Sequence, residues 1–216
     1  MTKTVIFDLD GLMIDSEKIS YELYRDFLEL YGHPFSIGEY AQGYSGHTGV
    51  ENMVSLIETY RLPIGTEEGL QWVNKREEMY MDRGVDLKEG VKELLEYLRA
   101  GGRGIVLAIS STRDRAVNVL KAHGIDGYFD YMVFGADIER GKPYPDIFLK
   151  ACEKAGEKPE ECLVLEDSEA GIQAACRAHV PVICVPDMKK PAREYQEMTE
   201  AVYDSLLKVM GYLENQ

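Results

Sequence analysis

Short, continuous apolar runs recur along the chain, separated by longer stretches of mixed character. Each run is unbroken, whereas a strand with one solvated face alternates apolar and polar residues, so the pattern indicates strands covered on both faces. Strands of this kind are typical of parallel sheets. The predicted strands are residues 4–7, 104–109, 131–134, 162–166 and 181–185.

The segments between the later strands have apolar residues at helical spacing. Val91, Leu94, Leu95 and Leu98 share one helical face, and similar faces recur in residues 116–120, 147–152 and 172–176. Strands that alternate with such helices build a parallel sheet with helices on both sides. The fold class predicted is therefore α/β, with a doubly wound parallel sheet.

The first connection is different, because residues 15–84 are far longer than an ordinary crossover. Three apolar stripes at helical spacing predict helices of its own: Ile19, Leu23, Phe27 and Leu30; Val50, Met53, Val54 and Ile57; Leu70, Val73 and Met79. We therefore predict a core domain of residues 1–14 and 85–216, with an inserted helical domain of residues 15–84.

Polar residues suited to phosphate chemistry follow four of the strands: Asp8 and Asp10, Ser110, Lys142, and Glu166 with Asp167. Because the carboxyl ends of parallel strands meet at one edge of a sheet, these side chains are expected around one crevice. The carboxylates of Asp8 and Asp10 are one residue apart, so they repel each other and resist burial. A bound cation is the expected compensation.

This set of side chains suits phosphoryl transfer. Asp8, Asp10 and Asp167 together would attract Mg²⁺, which prefers oxygen ligands. Asp8 is placed to attack phosphorus, and Asp10 to protonate the leaving oxygen and later deprotonate a water. Ser110 and Lys142 suit the equatorial phosphate oxygens.

Each feature also has a purely structural interpretation. Ser110 alone would serve as a helix cap, Lys142 as a surface lysine, and Asp167 with Ser168 as an N-cap before the next helix. Their joint occurrence at four strand ends favours the catalytic interpretation.

Composition and charge narrow the function classes. The formal net charge of −14 and the pI near 4.8 argue against partners such as nucleic acid and anionic membranes. No apolar run suits a signal peptide or a membrane span, so we expect a cytoplasmic protein. We also expect a monomer. The four cysteines are expected to be buried thiols, and no histidine is assigned to a metal.

Four segments, "DLDGLMIDSE", "AISSTRD", "GKPYPDIF" and "VLEDSEAGIQAA", resemble in order and spacing the signature motifs of the haloacid dehalogenase-like superfamily. The inserted helices resemble the helical cap of its phosphoglycolate phosphatase and β-phosphoglucomutase branch. The resemblance implies a Rossmann-like core with an inserted helical cap domain.

The resemblance also implies a role for each matching residue. Asp8 matches the nucleophile, and Asp10 the acid/base whose backbone carbonyl also binds Mg²⁺. Asp167 matches a metal ligand, and Glu166 lies in or just outside the shell of the metal. The residues that match the phosphate site are Asp8, Gly11, Ser110, Ser111 and Lys142.

The cap loop "GYSGHTG" resembles a substrate-specificity loop, which makes His47 a candidate substrate contact. Tyr44, Ser45 and Thr48 beside it suit either substrate contact or packing between cap helices.

Three functions compete: a Mg²⁺-dependent phosphatase for a small phosphorylated metabolite, a β-phosphoglucomutase-like mutase, and a non-catalytic binding module. A mutase needs a cation in the cap for a second phosphate, yet residues 26–60 contain no lysine or arginine. Position 20, a histidine in such mutases, is Ser20. Lys75, Arg76 or Arg83 could supply the missing cation. The phosphatase is favoured, and Asp10 argues against a haloacid dehalogenase proper.

Overall fold

The computed structural model of the chain describes residues 1–82 and 84–216, apart from the side chains of residues 78 and 80–82. This part of the chain divides into two compact units. The first unit contains residues 1–15 and 86–216, and the second contains residues 16–85.

The first unit is built on a parallel sheet in the strand order β3-β2-β1-β4-β5-β6. The strands are β1 (Thr4–Phe7), β2 (Gly104–Ile109), β3 (Tyr131–Phe134), β4 (Cys162–Glu166), β5 (Val182–Cys184) and β6 (Ala201–Val202). The prediction of a doubly wound α/β fold is confirmed. The sequence analysis missed β6, because a half-buried strand of two residues has no apolar run.

Burial explains why these runs form strands. All residues of β1 and β4 are buried, and β1 lies between β2 and β4, with Phe7 in register with Leu107 and Leu165. Each fully buried side chain of this size contributes about 1.5–3 kcal/mol to folding.

Six helices accompany the sheet: α5 (Val91–Ala100), α6 (Arg113–Ala122), α7 (Asp146–Ala155), α8 (Glu169–Arg177), α9 (Arg193–Gln196) and α10 (Leu207–Glu214). Phe148 of α7 and Ile172 of α8 belong to the same buried cluster as Ile6 and Val164 of the sheet. The sequence analysis did not predict α9 and α10. Cys152, Cys162 and Cys184 are buried, but Cys176 is only half-buried, so the prediction of four buried thiols is wrong for that residue.

The second unit contains α1 (Ser16–Glu29), α2 (Ile37–Gly43), α3 (Gly49–Tyr60) and α4 (Thr66–Asp82). Its interior is rich in aromatic rings, and Tyr40 is almost fully buried beside Phe35. The predicted apolar stripes are wrong for Leu30, Val50, Val54 and Met79, which are exposed. Leu30 lies beyond the last residue of α1, and the short α2 was missed because it buries only Tyr40.

No helix of the described residues, 1–82 and 84–216, is long and apolar enough to cross a membrane.

The turn from β4 into α8 leaves no room for a side chain at Gly171. Glu166, the last residue of β4, is fully buried, and a Cβ added to Gly171 would collide with its carboxyl group. Gly171 therefore provides the space that the Glu166 side chain occupies.

We predict that Gly171→Ala lowers the free energy of unfolding by about 1–3 kcal/mol, because the new methyl group must displace a buried carboxylate or the helix. Gly211→Ala is the matched control. Gly211 lies in α10 with open space around its Cα, so alanine there should stabilise the protein by roughly 0.5–1 kcal/mol. Urea unfolding measures both values, and a Gly171→Ala protein as stable as the parent would contradict this packing.

Candidate active site

Asp8 directly follows β1 and is buried in the first unit. Asp8 is 7% exposed, and its backbone N–H donates to the carbonyl of Leu165 at 3.2 Å. Gly11 then adopts a φ of +76°, which favours glycine, and its N–H donates to the carbonyl of Ile14 at 3.1 Å. A Cβ on Gly11 would collide with the carboxylate of Asp167, so the turn and that carboxylate are closely packed.

The ammonium group of Lys142 links two acids that lie at the carboxyl ends of neighbouring strands. Nζ donates hydrogen bonds to a carboxylate oxygen of Asp8, after β1, and to one of Glu166, at the end of β4. The Lys142 side chain is 9% exposed, and its Nζ lies 5.2 Å from the ring centre of Phe148. The ammonium is therefore a largely desolvated charge held between two acids.

Glu166 is fixed by donors on both of its oxygens. Oε2 accepts hydrogen bonds from the backbone N–H of Asp167 at 3.0 Å, the N–H of Ser168 at 3.1 Å and the Ser168 hydroxyl at 3.0 Å. Lys142 binds Oε1. The arrangement makes Glu166 the anchor that orients Lys142. Ser168 also caps α8, as the structural interpretation of that residue predicts.

Burial and neighbouring negative charges raise the pKa values of two acids of this site. Burial raises the pKa of Asp8 to about 7, despite the opposing attraction of Lys142. Burial, with the nearby charges of Glu166 and Asp8, raises the pKa of Asp167 well above its usual range. Burial alone would lower the pKa of Lys142, but the carboxylates of Asp8 and Glu166 outweigh it and raise that pKa.

The donor chemistry of the site fits a hard divalent cation. Asp8, Glu166 and Asp167 outnumber the single ammonium of Lys142, and carboxylate oxygens are the ligands that Mg²⁺ takes. Among the described residues, no three acidic, imidazole or thiol groups already form a metal-binding set. Because Lys142 and the β4–α8 turn hold both oxygens of Glu166, Asp8 and Asp167 are the better donors for a cation.

Arg115 forms an ion pair with Asp10 that the sequence analysis did not predict. Nη1 and Nη2 of Arg115 donate to Oδ2 and Oδ1 of Asp10 at 2.8 and 2.6 Å, and Nη1 donates to the Ser111 hydroxyl at 3.3 Å. Ser111 lies just before the N-cap of α6, and Arg115 lies in the first turn of that helix.

Ser110 directly follows β2 and is exposed. β2 pairs in parallel with β1, so Ser110 lies at the sheet edge that carries Asp8 and Asp10. A Cβ on Gly135, after β3, would lie 2.6 Å from the carbonyl oxygen of Ser110, so this backbone is tightly packed.

Asp187 and Lys88 are further charged residues of this edge that the sequence analysis missed. Lys88 forms an ion pair with Asp187, whose side chain is 8% exposed, and Asp187 raises the pKa of Asp167. Asp187 follows β5, so the strand-end argument, applied to that strand, would have found it.

The candidate substrate residues of the second unit have mixed roles. The Thr48 hydroxyl caps α3 in a reciprocal arrangement with Glu51, and the Tyr44 ring packs against Phe35 with 5.2 Å between ring centres. These two residues stabilise the helices, while His47 is exposed. His47 stays a prediction as a substrate contact.

The sequence and the structure match known proteins over almost the whole chain. The family model described as haloacid dehalogenase-like hydrolase matches residues 5–185. A phosphorylated carbohydrates phosphatase from Thermotoga maritima is 31% identical, with 82% of each chain covered. A β-phosphoglucomutase from Bacillus subtilis is 29% identical, with 80% of this chain and 78% of the relative covered.

Among solved structures, a haloacid dehalogenase family hydrolase from Deinococcus radiodurans, with bound phosphate and sodium, superposes with a TM-score of 0.85. It is 25% identical, over 99% of this chain and 96% of that protein. With its motifs, strand order and acidic site, this chain belongs to the haloacid dehalogenase-like hydrolase family and is an enzyme of that class.

Proposed function

We propose that this hydrolase removes the phosphoryl group from a small phosphorylated metabolite, such as a sugar phosphate, with Asp8 as the nucleophile. The observation that carries the proposal is the position of Asp8, buried beside the Lys142 ammonium with Asp10 two residues further along the chain. The similarity to a phosphatase of phosphorylated carbohydrates supports the substrate class.

In the first step, a carboxylate oxygen of Asp8 attacks phosphorus and the bond from phosphorus to the ester oxygen breaks. Asp10 donates a proton to that oxygen, which leaves as an alcohol. The Lys142 ammonium and the Ser110 hydroxyl balance charge on the equatorial oxygens. The product on the enzyme is an aspartyl-phosphate at Asp8.

In the second step, a water molecule attacks phosphorus while the Asp10 carboxylate accepts its proton. The bond from phosphorus to Asp8 breaks, which releases phosphate and restores both side chains to their starting states. Asp10 thus carries one proton out and one proton back in each cycle.

Asp8, Asp167 and the backbone carbonyl of Asp10 would hold Mg²⁺ at this site, with Glu166 just outside them. When bound, the ion shields the attacking carboxylate from the negative charge of the phosphate.

A β-phosphoglucomutase-like activity is the second candidate, supported by the similarity to the Bacillus subtilis enzyme. Of the cations that could hold a second phosphate, Arg76 stacks over Trp72, with its guanidinium carbon 3.9 Å from the ring centre, and Lys75 is exposed. Arg83 lies outside the described residues. The stacked Arg76 is already engaged within the second unit, which favours hydrolysis.

The proposal predicts phosphate release from a panel of phosphorylated metabolites in the presence of Mg²⁺, and its loss in EDTA. Asp8→Asn should lower kcat by at least about a thousandfold, since an amide is a poor nucleophile. Asp204→Asn, at an exposed acid paired with Lys208, is the matched control and should keep full activity.

Product analysis on glucose 1-phosphate isomers separates the candidates: free phosphate indicates the phosphatase and an isomerised sugar phosphate the mutase. Absence of both across the panel would favour the non-catalytic module. Full activity in Asp8→Asn protein, shown by intact mass to be free of deamidation, would overturn the assignment of the nucleophile.

The raised pKa values predict an unusual pH dependence of stability for the metal-free protein. The folded state binds protons at Asp8 and Asp167 more tightly than the unfolded state, so this stabilisation is complete below the unfolded pKa of Asp8, near 3.8, and is lost as the pH rises through about 7. Thermal melts in EDTA should therefore show a falling Tm between about pH 5 and about pH 8.

Asp8→Asn should flatten this fall, because it removes one of the two acids, and Asp204→Asn should leave it unchanged. A Tm in EDTA that is independent of pH in the parent protein would contradict the burial of uncompensated acid at this site.

A further inference from the structure

The contact between Arg115 and Asp10 is a paired, two-bond interaction. Both guanidinium nitrogens at the end of Arg115 donate to Asp10, one to each carboxylate oxygen, at 2.8 and 2.6 Å. The Arg115 side chain is 21% exposed and that of Asp10 is 37% exposed. Paired bonds of this geometry fix the plane of a carboxylate as well as its position.

Arg115 is itself held by a rigid element. It lies in the first turn of α6, next to Ala116, which is fully buried, and five residues before Leu120, which is also fully buried. The Ser111 hydroxyl accepts a further hydrogen bond from Nη1. The buried side of α6 and the Ser111 hydroxyl therefore hold the guanidinium group in place beside Asp10.

The pair is half-buried, and ion pairs that stay in contact with solvent contribute little to stability, with a typical value below about 1 kcal/mol. A contribution to stability therefore does not explain why α6 presents an arginine to Asp10. The geometry is that of a group that orients another side chain.

We propose that Arg115 is the positioning residue of Asp10, which sets the direction in which the Asp10 carboxyl group gives and takes its proton. The inference rests on the proposed function. After Asp10 protonates the leaving oxygen, Arg115 holds the resulting carboxylate in the orientation from which it deprotonates water. During the donation, one oxygen of Asp10 turns to the substrate while the other keeps its bond to Arg115.

The contribution of Arg115 should depend on how much the leaving group needs the proton. An alkoxide leaves poorly without protonation, whereas 4-nitrophenolate leaves readily without it. Loss of Arg115 should therefore affect alkyl phosphates much more than 4-nitrophenyl phosphate.

The experiment measures kcat/KM for three substrates with Arg115→Gln, Arg115→Lys and the control Lys121→Gln. The substrates are 4-nitrophenyl phosphate, an alkyl phosphate with a neutral alcohol and an alkyl phosphate whose alcohol carries a carboxylate. Lys121 is exposed in the last turn of the same helix, so its substitution makes the same charge change away from Asp10.

Arg115→Gln should lower kcat/KM for both alkyl phosphates by about 10-fold to 100-fold and for 4-nitrophenyl phosphate by less than about 3-fold. With 4-nitrophenyl phosphate it should also produce a burst of nitrophenolate, since Asp10 then activates water poorly. Arg115→Lys, which keeps the charge but not the paired bonds, should fall between Arg115→Gln and the parent. Lys121→Gln should match the parent on all substrates.

Other outcomes overturn the inference in distinguishable ways. Equal losses on all substrates indicate a structural role, and a loss confined to the carboxylated substrate indicates that Arg115 binds substrate. Unchanged kinetics show that Asp10 needs no such positioning. If Arg115→Gln fails to fold, as judged by circular dichroism, the Arg115→Lys values decide between these outcomes. A parent chain that hydrolyses no phosphate ester overturns the proposed function, and with it this inference.

Discussion

The ammonium of Lys142, held between the buried carboxylates of Asp8 and Glu166, is the interaction on which the site depends. A buried lysine is costly unless it is paired, and a buried acid is costly in the same way, so each of the three residues requires the others. The pairing is anchored by Glu166, whose second oxygen accepts three hydrogen bonds from the β4–α8 turn. Gly171 and Gly11 leave space for the acids of this site, and the carboxylates of Asp8, Glu166 and Asp167 still outnumber the ammonium group of Lys142.

The topology explains why these residues meet at this place. The chain runs from β1 to β2 and β3 on one side, and then returns to β4 on the other side of β1. Ligand crevices of open parallel sheets form at such a reversal, beyond the carboxyl ends of the strands. Asp8 follows β1 and Glu166 ends β4, so the acids that flank Lys142 come from the two strands that define the reversal.

The sequence predicted the sheet well, because the buried strands are uninterrupted apolar runs, and the polar residues that it singled out after β1 and β4 lie close together in the structure. Asp187 also lies beyond the end of a strand, the short β5, but the prediction did not include that strand end. Arg115 lies on a helix, where an arginine near a carboxylate has no sequence signature of its own. Three of the four inserted helices were predicted, but their apolar faces only in part. Leu30 lies beyond the end of α1 and Val50 in the first turn of α3, where periodicity does not define a buried side.

We propose that the buried acids of this site bind a divalent cation in addition to pairing with Lys142. Isothermal titration of Mg²⁺ into the metal-free protein tests it most directly, with Asp167→Asn as the test variant and Asp204→Asn as its matched control. The account predicts binding of a single Mg²⁺ by the parent and the control, and its loss in Asp167→Asn. Absence of binding by the parent, or equal binding by Asp167→Asn, would contradict it.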